Sequence, residues 1–435
     1  MRLAPGALDI VPLYTRFAAL RLEGGRREAE DVADERCRVL IRRLTSGAER
    51  YQPPFDRGHA ENTSFEYPLF VPSDSGPAAP HALVVLHGLN ESYFQKLFPW
   101  AYAYTVHTGW PSLIFPMSFY VNRRPGRVFT EGRIFMKQYQ QRRGLPGNRY
   151  ASPFNAVRSH RIAEHPARMV SELLQSYHDL RQLATAAREG QVPPLPRGTV
   201  LHFLGYSLGG YLAAMLLGAD DTGLFADSRA VLFASGGPIR AQAAEERIDP
   251  RSLLILDEIA AGRLASVLGE LAAETRGVST LAEAREGSAA RPDADTALAR
   301  VVSCLETETD YAALGVALEM LDPAPGGAAP ARLAHVASRL AVVVDANDTV
   351  IPAAGIRASV GRFVPAVTSL DLGNHEYPFN LSERLPDDFA RARSEAPEQW
   401  ERLTACLQGP AAVAPRFAEA FGRLIEVTAG PGATP

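Results

Sequence analysis

Val200-Leu201-His202-Phe203-Leu204-Gly205-Tyr206-Ser207-Leu208-Gly209-Gly210 is the stretch on which the reading of this chain turns. An apolar run of strand length ends at Gly205, and a second apolar run, Leu208 to Leu217, follows with helical length. Gly198 to Ala219 carries no ionised side chain and is about as long as a membrane span. Three glycines within six residues mark a sharp turn instead, so the stretch reads strand, turn, helix and not a membrane segment. The turn is tight enough that the residues around Ser207 must be small, and glycine has no Cβ to clash. Its effect is to lift the Ser207 hydroxyl above the C-terminal edge of a sheet, near the positive end of the following helix.

Outward from this turn, short continuous apolar runs recur. Ala82 to Leu86, Ser112 to Phe115, Ala230 to Ala234 and Leu340 to Val344 read as strands buried on both faces. Glu66 to Val71 reads as an edge strand and Val367 to Leu372 as the last one. Helical patterns lie between them, at Phe94 to His107, at Ala156 to Arg188 with an interruption at Pro166, and at Leu208 to Leu217. Strands alternating with helices imply right-handed crossovers and an α/β fold with a mainly parallel central sheet flanked by helices. Residues 1–60, with a charged and helical-looking stretch from Arg26 to Arg43, read as an N-terminal extension. The core is expected at 61–239 and 336–435, with an Arg-rich insertion at 118–160. Residues 240–335 read as an inserted helical cap or lid, with a separately folding domain as the second reading, and with helices at Leu253 to Ala260, Leu264 to Ala273, Ala297 to Leu305 and Tyr311 to Leu321.

A serine hydroxyl is a poor nucleophile without a base, and the base needs an orienting carboxylate. For a strand-turn-helix serine the expected chain order is Ser, then Asp or Glu, then His. Downstream of Ser207 stand two histidines, His335 and His375. His375 follows the last expected strand, where a loop can reach back over the sheet, whereas His335 precedes a strand and belongs at the wrong end. For the acid, Asp345 and Asp348 both lie at the C-terminal end of the Leu340 to Val344 run, where functional groups of parallel sheets gather. Asp348 sits in the turn itself and is the expected partner of His375; Asp345, nearer the strand, fits a hydrogen bond to the turn's backbone.

With these residues in place the chain resembles the α/β-hydrolase superfamily of lipases, esterases and peptidases. The resemblance rests on the Gly205–Gly209 nucleophile elbow, on Asp348-Thr349-Val350-Ile351-Pro352, on Gly373-Asn374-His375, and on His87-Gly88-Leu89-Asn90 after the first buried strand, and it spans about residues 66–380. It implies a serine hydrolase in which Ser207, Asp348 and His375 form the catalytic triad and the backbone N–H groups of Leu89 and Leu208 hold an oxyanion. Esters are the expected substrates, with thioesters and amides next. An acyltransferase using the same triad is one alternative; a non-catalytic α/β-hydrolase-fold binding protein using the basic insertion is another. Where many members carry an Asp-x-Arg-Gly-like turn, this chain has Phe115-Pro116-Met117-Ser118-Phe119-Tyr120-Val121-Asn122-Arg123-Arg124.

Charge sharpens that departure. The chain has 435 residues and a formal net charge of −4, with 46% hydrophobic residues, which excludes global disorder and a nucleic-acid-coating polycation. Residues 123–161 nevertheless hold nine arginines and one lysine against a single acid, Glu131. This stretch reads either as a surface for an anionic substrate or partner, or as arginines pairing acids elsewhere in the fold. The expected partner is a small-molecule acyl substrate, with an anionic one allowed by the arginines; the oligomeric state is left open. No cofactor motif is present. His160 and His165 stand five apart, where a zinc pair on one helical face needs four, so no metal site is read there. Cys37, Cys304 and Cys406 form no paired framework, and Asp9, Arg16 and Arg21 interrupt any signal-peptide core; both features fit a cytoplasmic protein.

Overall fold

The computed structural model describes residues 33–73, 80–89, 91, 94, 97–126, 136–137, 139–141, 153–239, 241, 258–275, 278–289, 297–323, 329–346, 348, 350–370, 375 and 410–429. Residues 1–32, residues 127–135, 138 and 142–152 of the Arg-rich insertion, 242–257, Asn90 and Gly373-Asn374 therefore lie outside the described residues.

The elements, in chain order, are β1 (Cys37–Thr45), β2 (Ser64–Pro72), β3 (His81–Leu86), α1 (Phe98–Thr108), β4 (Ser112–Phe115), α2 (Pro153–Glu164), α3 (Ala167–Arg188), β5 (Val200–Tyr206), α4 (Leu208–Gly218) and β6 (Ala230–Phe233). Then come α5 (Glu258–Glu274), α6 (Leu281–Ala289), α7 (Ala297–Val302), α8 (Glu308–Leu321), α9 (Ala329–Val336), β7 (Leu340–Asp345), α10 (Ala353–Ala358), β8 (Val367–Leu370) and α11 (Pro410–Ala429). The strands form one sheet in the order β1-β2-β4-β3-β5-β6-β7-β8. From β4 to β8 all pairs are parallel, whereas β2 runs antiparallel to both β1 and β4. This is the α/β-hydrolase fold. The sheet is flanked by helices: α1 and α11 pack together as one group, and α3, α4, α8 and α9 as another.

The continuous apolar runs become the parallel strands because crossover helices cover both faces and leave no polar side. Val84, for example, is fully buried, with Leu113 of β4 on one side and Phe203 of β5 on the other. Pro166 separates α2 from α3, as proline removes a donor and crowds the preceding turn.

One expectation fails at the N-terminal side. Arg26 to Arg43 reads as helical by charge, yet Cys37–Thr45 is a strand along the sheet's outer edge. Buried Cys37 and Val39 alternate with exposed Arg38, a period of two that outweighs the charge content. The sheet thus begins inside the stretch read as an extension, and β2 is the second strand rather than the edge. Arginines at 38, 42 and 43 discourage further pairing along β1. Between β6 and β7 the inserted helices do not stand apart from the core: α8 packs on α3 and α4, with Val316 against Gly218. Among the described residues, no helix is long and apolar enough to cross a membrane.

Candidate active site

Strand β5 delivers Ser207 into a backbone conformation that side chains avoid, with φ 50° and ψ −116°. Such a conformation costs of order 1–3 kcal/mol and persists only where the surroundings enforce it. The enforcement comes from β6 and the turn after it. The Ser207 N–H donates to the Phe233 carbonyl at 2.9 Å, and the Ser235 hydroxyl donates to the Ser207 carbonyl at 2.6 Å. The glycines are required by contact. A Cβ on Gly205 would lie 2.5 Å from the Gly209 carbonyl oxygen, and one on Gly209 would lie 2.5 Å from that of Leu86.

Two distant segments meet this serine. His375, shortly past β8, places Nε2 3.1 Å from the Ser207 Oγ. Its Nδ1 lies 2.7 Å from Asp348 Oδ2. The other oxygen of Asp348 accepts from the N–H groups of Val350 and Ile351, both at 2.8 Å, so the carboxylate is fixed by its own turn. Nδ1 must donate to the carboxylate, which leaves the Nε2 lone pair facing the serine hydroxyl. All three side chains are about 95% buried. Asp345 is buried at the end of β7, and its backbone carbonyl accepts from the Asp348 N–H at 3.3 Å. His335 is exposed on α9.

The segment after β3 closes a third side. A Cβ on Gly88 would stand 2.8 Å from the Tyr206 ring and 3.2 Å from the Ser207 Cβ, so only glycine lets this loop lie against the elbow. His87 is wholly buried; its Nδ1 donates to the Gly88 carbonyl at 2.8 Å and its Nε2 accepts from the Met117 N–H at 2.9 Å. This pair of bonds requires the neutral ring. His87 therefore ties the β3 loop to the β4 loop and is not placed as a base. Leu89 follows on the same loop, half-buried, and Leu208 opens α4, where the first N–H groups of a helix lack partners within it.

Of the two readings of the arginines after β4, the described ones follow the second: they pair with acids elsewhere in the fold and do not form a free cationic surface. Arg123 is fully buried and pairs with Asp179 at 2.7 Å. Arg158 pairs with Glu172 at 2.7 Å and donates to the Phe119 carbonyl at 2.7 Å, while Arg161 lies 3.3 Å from Asp56. Burial pushes the Glu172 carboxyl up, and Arg158 and Arg161 pull it back. These side chains brace the strained turn after β4, where Phe119 and Val121 have φ of 63° and 48°. Asp179 lies 56 residues from Arg123 and Asp56 lies 105 from Arg161, while Glu172 is 14 from Arg158. All three fall outside 123–161, so that stretch by itself shows only excess charge. His160 pairs with Glu164 at 2.9 Å, and His165 stacks on Phe55. Among the described residues no group of His, Cys, Asp and Glu could hold a metal ion.

Sequence reading did not single out the residues that support the site. Ser235 carries only the weak signal of a small-residue run, Ala234-Ser235-Gly236-Gly237, after a strand. Tyr206 occupies the variable position before the serine and carries no sequence signal at all.

Residues 49–284 match the model of a family described as a family of unknown function (DUF6051). No curated protein matches the chain. Among solved structures, the peroxisomal alpha-beta-hydrolase Lpx1 from Saccharomyces cerevisiae is similar at 13% identity and a TM-score of 0.38, covering 90% of this chain and 99% of that one. A thermostable esterase from Pseudomonas putida is similar at 12% identity and a TM-score of 0.38, covering 96% and 88%. Brefeldin A esterase, a bacterial homologue of human hormone sensitive lipase, is similar at 12% identity and a TM-score of 0.37, covering 93% and 86%.

Proposed function

The chain belongs to this family of unknown function, DUF6051, and we propose that it acts as a serine hydrolase that cleaves carboxylic esters through an acyl-enzyme. The observation that carries this reading is the unbroken hydrogen-bonded chain from Ser207 through His375 to Asp348. Ser207 attacks the carbonyl carbon while His375 Nε2 takes its proton, and the imidazolium that forms is held by Asp348. The carbonyl oxygen, now negative, is met by the N–H groups of Leu89 and Leu208. One such donor is worth about 3 kcal/mol in the transition state. His375 returns the proton to the leaving alcohol, and the same residues then activate water to release the acid.

Substrate choice is assigned to the connections that leave the C-terminal ends of β4 and β6, the end at which Ser207 stands. These are the Arg-rich segment and the helical block 240–335, which we read as a cap; α5 of the block packs against α2 of the segment. The test is labelling with a fluorophosphonate, followed by turnover of esters of varied acyl length. Intact protein should take one label and lose it in Ser207→Ala; an unlabelled protein ends the hydrolase reading.

A further inference from the structure

Tyr206 stands between the two loops that must converge on Ser207. Its side chain is nearly inaccessible, and the ring lies so close to Gly88 that a Cβ there would sit 2.8 Å away. On its other side the hydroxyl donates to the His375 backbone carbonyl at 3.2 Å, and the two rings are 5.3 Å apart at a tilt of 34°. His375 follows β8, which ends at Leu370, by several residues. Its ring is fixed by Asp348, but a ring can pivot while its backbone drifts. Among the described residues, the group that bonds this backbone is the Tyr206 hydroxyl.

From this we propose that Tyr206 is a positioning residue: its hydroxyl anchors the backbone of His375, and its ring sets the approach of the Gly88 loop, so that one side chain registers base and oxyanion loop against the adjacent nucleophile. The proposal rests on the triad reading above. Strand geometry supplies the precision. Tyr206 is the last residue of β5, an interior strand of the sheet, and is paired in register with Phe233 of β6, so its ring is carried by a strand bonded to its neighbours. Reacting groups displaced by about 1 Å lose on the order of a hundredfold in rate. An anchor built on the strand next to the nucleophile suppresses that drift.

The experiment is Tyr206→Phe, which removes one oxygen and keeps the ring, beside Tyr206→Leu, which removes both. In Tyr206→Phe the expected result is a kcat reduced by about tenfold to a hundredfold with KM unchanged. Fluorophosphonate labelling of Ser207 should slow in proportion, and amide exchange should quicken in the peptide covering 371–376 but not in β5 or β6. Tyr206→Leu should lose more, because the Gly88 loop is released as well. Wild-type kcat and wild-type exchange in Tyr206→Phe overturn the proposal. Loss of cooperative unfolding in Tyr206→Phe overturns it too, since the hydroxyl would then hold the fold and not the base. If wild-type protein takes no label, the hydrolase reading fails by itself, and the exchange measurement still decides whether this hydroxyl anchors His375.

Discussion

Removing Asp179 should cost the fold more than removing its partner Arg123, and removing both should cost less than removing Asp179 alone. The two groups are fully buried with their charged atoms 2.7 Å apart. Arg123 also donates from Nε and Nη2 to Asn62 at 3.1 and 2.9 Å and from Nη1 to the Pro116 carbonyl at 3.2 Å, and it lies over the Phe65 ring at 3.9 Å. At about 4 Å between charge centres and an effective dielectric near 20, the attraction is about 4 kcal/mol. Desolvation costs several kcal/mol for each ion, which meets or exceeds that gain. The titration of the pair agrees: burial pushes the Asp179 carboxyl up and the Arg123 guanidinium down, and their mutual attraction only partly offsets it.

Asp179→Leu leaves a buried guanidinium that cannot shed its proton, a loss of about 3–5 kcal/mol. Arg123→Met leaves a carboxyl that can take up a proton while Ser46 still donates to it, a smaller loss of about 1–3 kcal/mol. The double variant should recover at least about 2 kcal/mol relative to Asp179→Leu. Equilibrium urea unfolding, with m checked for constancy across the four proteins, gives these numbers directly. A double variant as unstable as Asp179→Leu, or an Asp179→Leu protein within about 1 kcal/mol of wild type, would refute the reasoning.

A second expectation concerns acid. His202 is buried, accepts from the Arg229 N–H and meets His81 at 3.2 Å. Burial first, then the charges of His81 and Arg229, push its pKa down to about 3. The unfolded chain, with an ordinary value near 6.5, binds the proton more readily. This contribution is therefore complete above about pH 6.5 and falls away toward pH 3, by about 2 kcal/mol at pH 5. His202→Gln should flatten the fall in urea unfolding between pH 7.5 and 5; an unchanged slope would sink the assignment. Gly209→Ala drives a Cβ into the Leu86 carbonyl and should cost about 3 kcal/mol or more, seen as a lowered melting temperature or insoluble expression. A soluble variant with a wild-type melt would show that the elbow can relax.

Runs such as Val342-Val343-Val344 were legible as strands because a strand covered on both faces has no polar side to hide its identity. Cys37–Thr45 was not, since its half-exposed edge position leaves arginines in the pattern, and charge there looked helical. Ser207, His375 and Asp348 could be picked out as candidates because each lies just past a strand end, a position sequence order alone indicates. Which aspartate faces the histidine depended on a turn: Asp348, not Asp345, has its carboxylate fixed by the Val350 and Ile351 N–H groups and aimed at His375.

What sequence by itself determined was the order of elements and the residue types at their ends, because hydrophobic period and glycine placement are local properties. Tertiary structure alone decided the fate of the arginines and the roles of Tyr206 and Ser235. Arg123 finds Asp179 across 56 residues of chain, Arg158 finds Glu172 on the next helix, and Tyr206 reaches a carbonyl 169 residues downstream. Such partners are set by packing in three dimensions, and a side chain's charge or hydroxyl carries no record of which distant group will satisfy it.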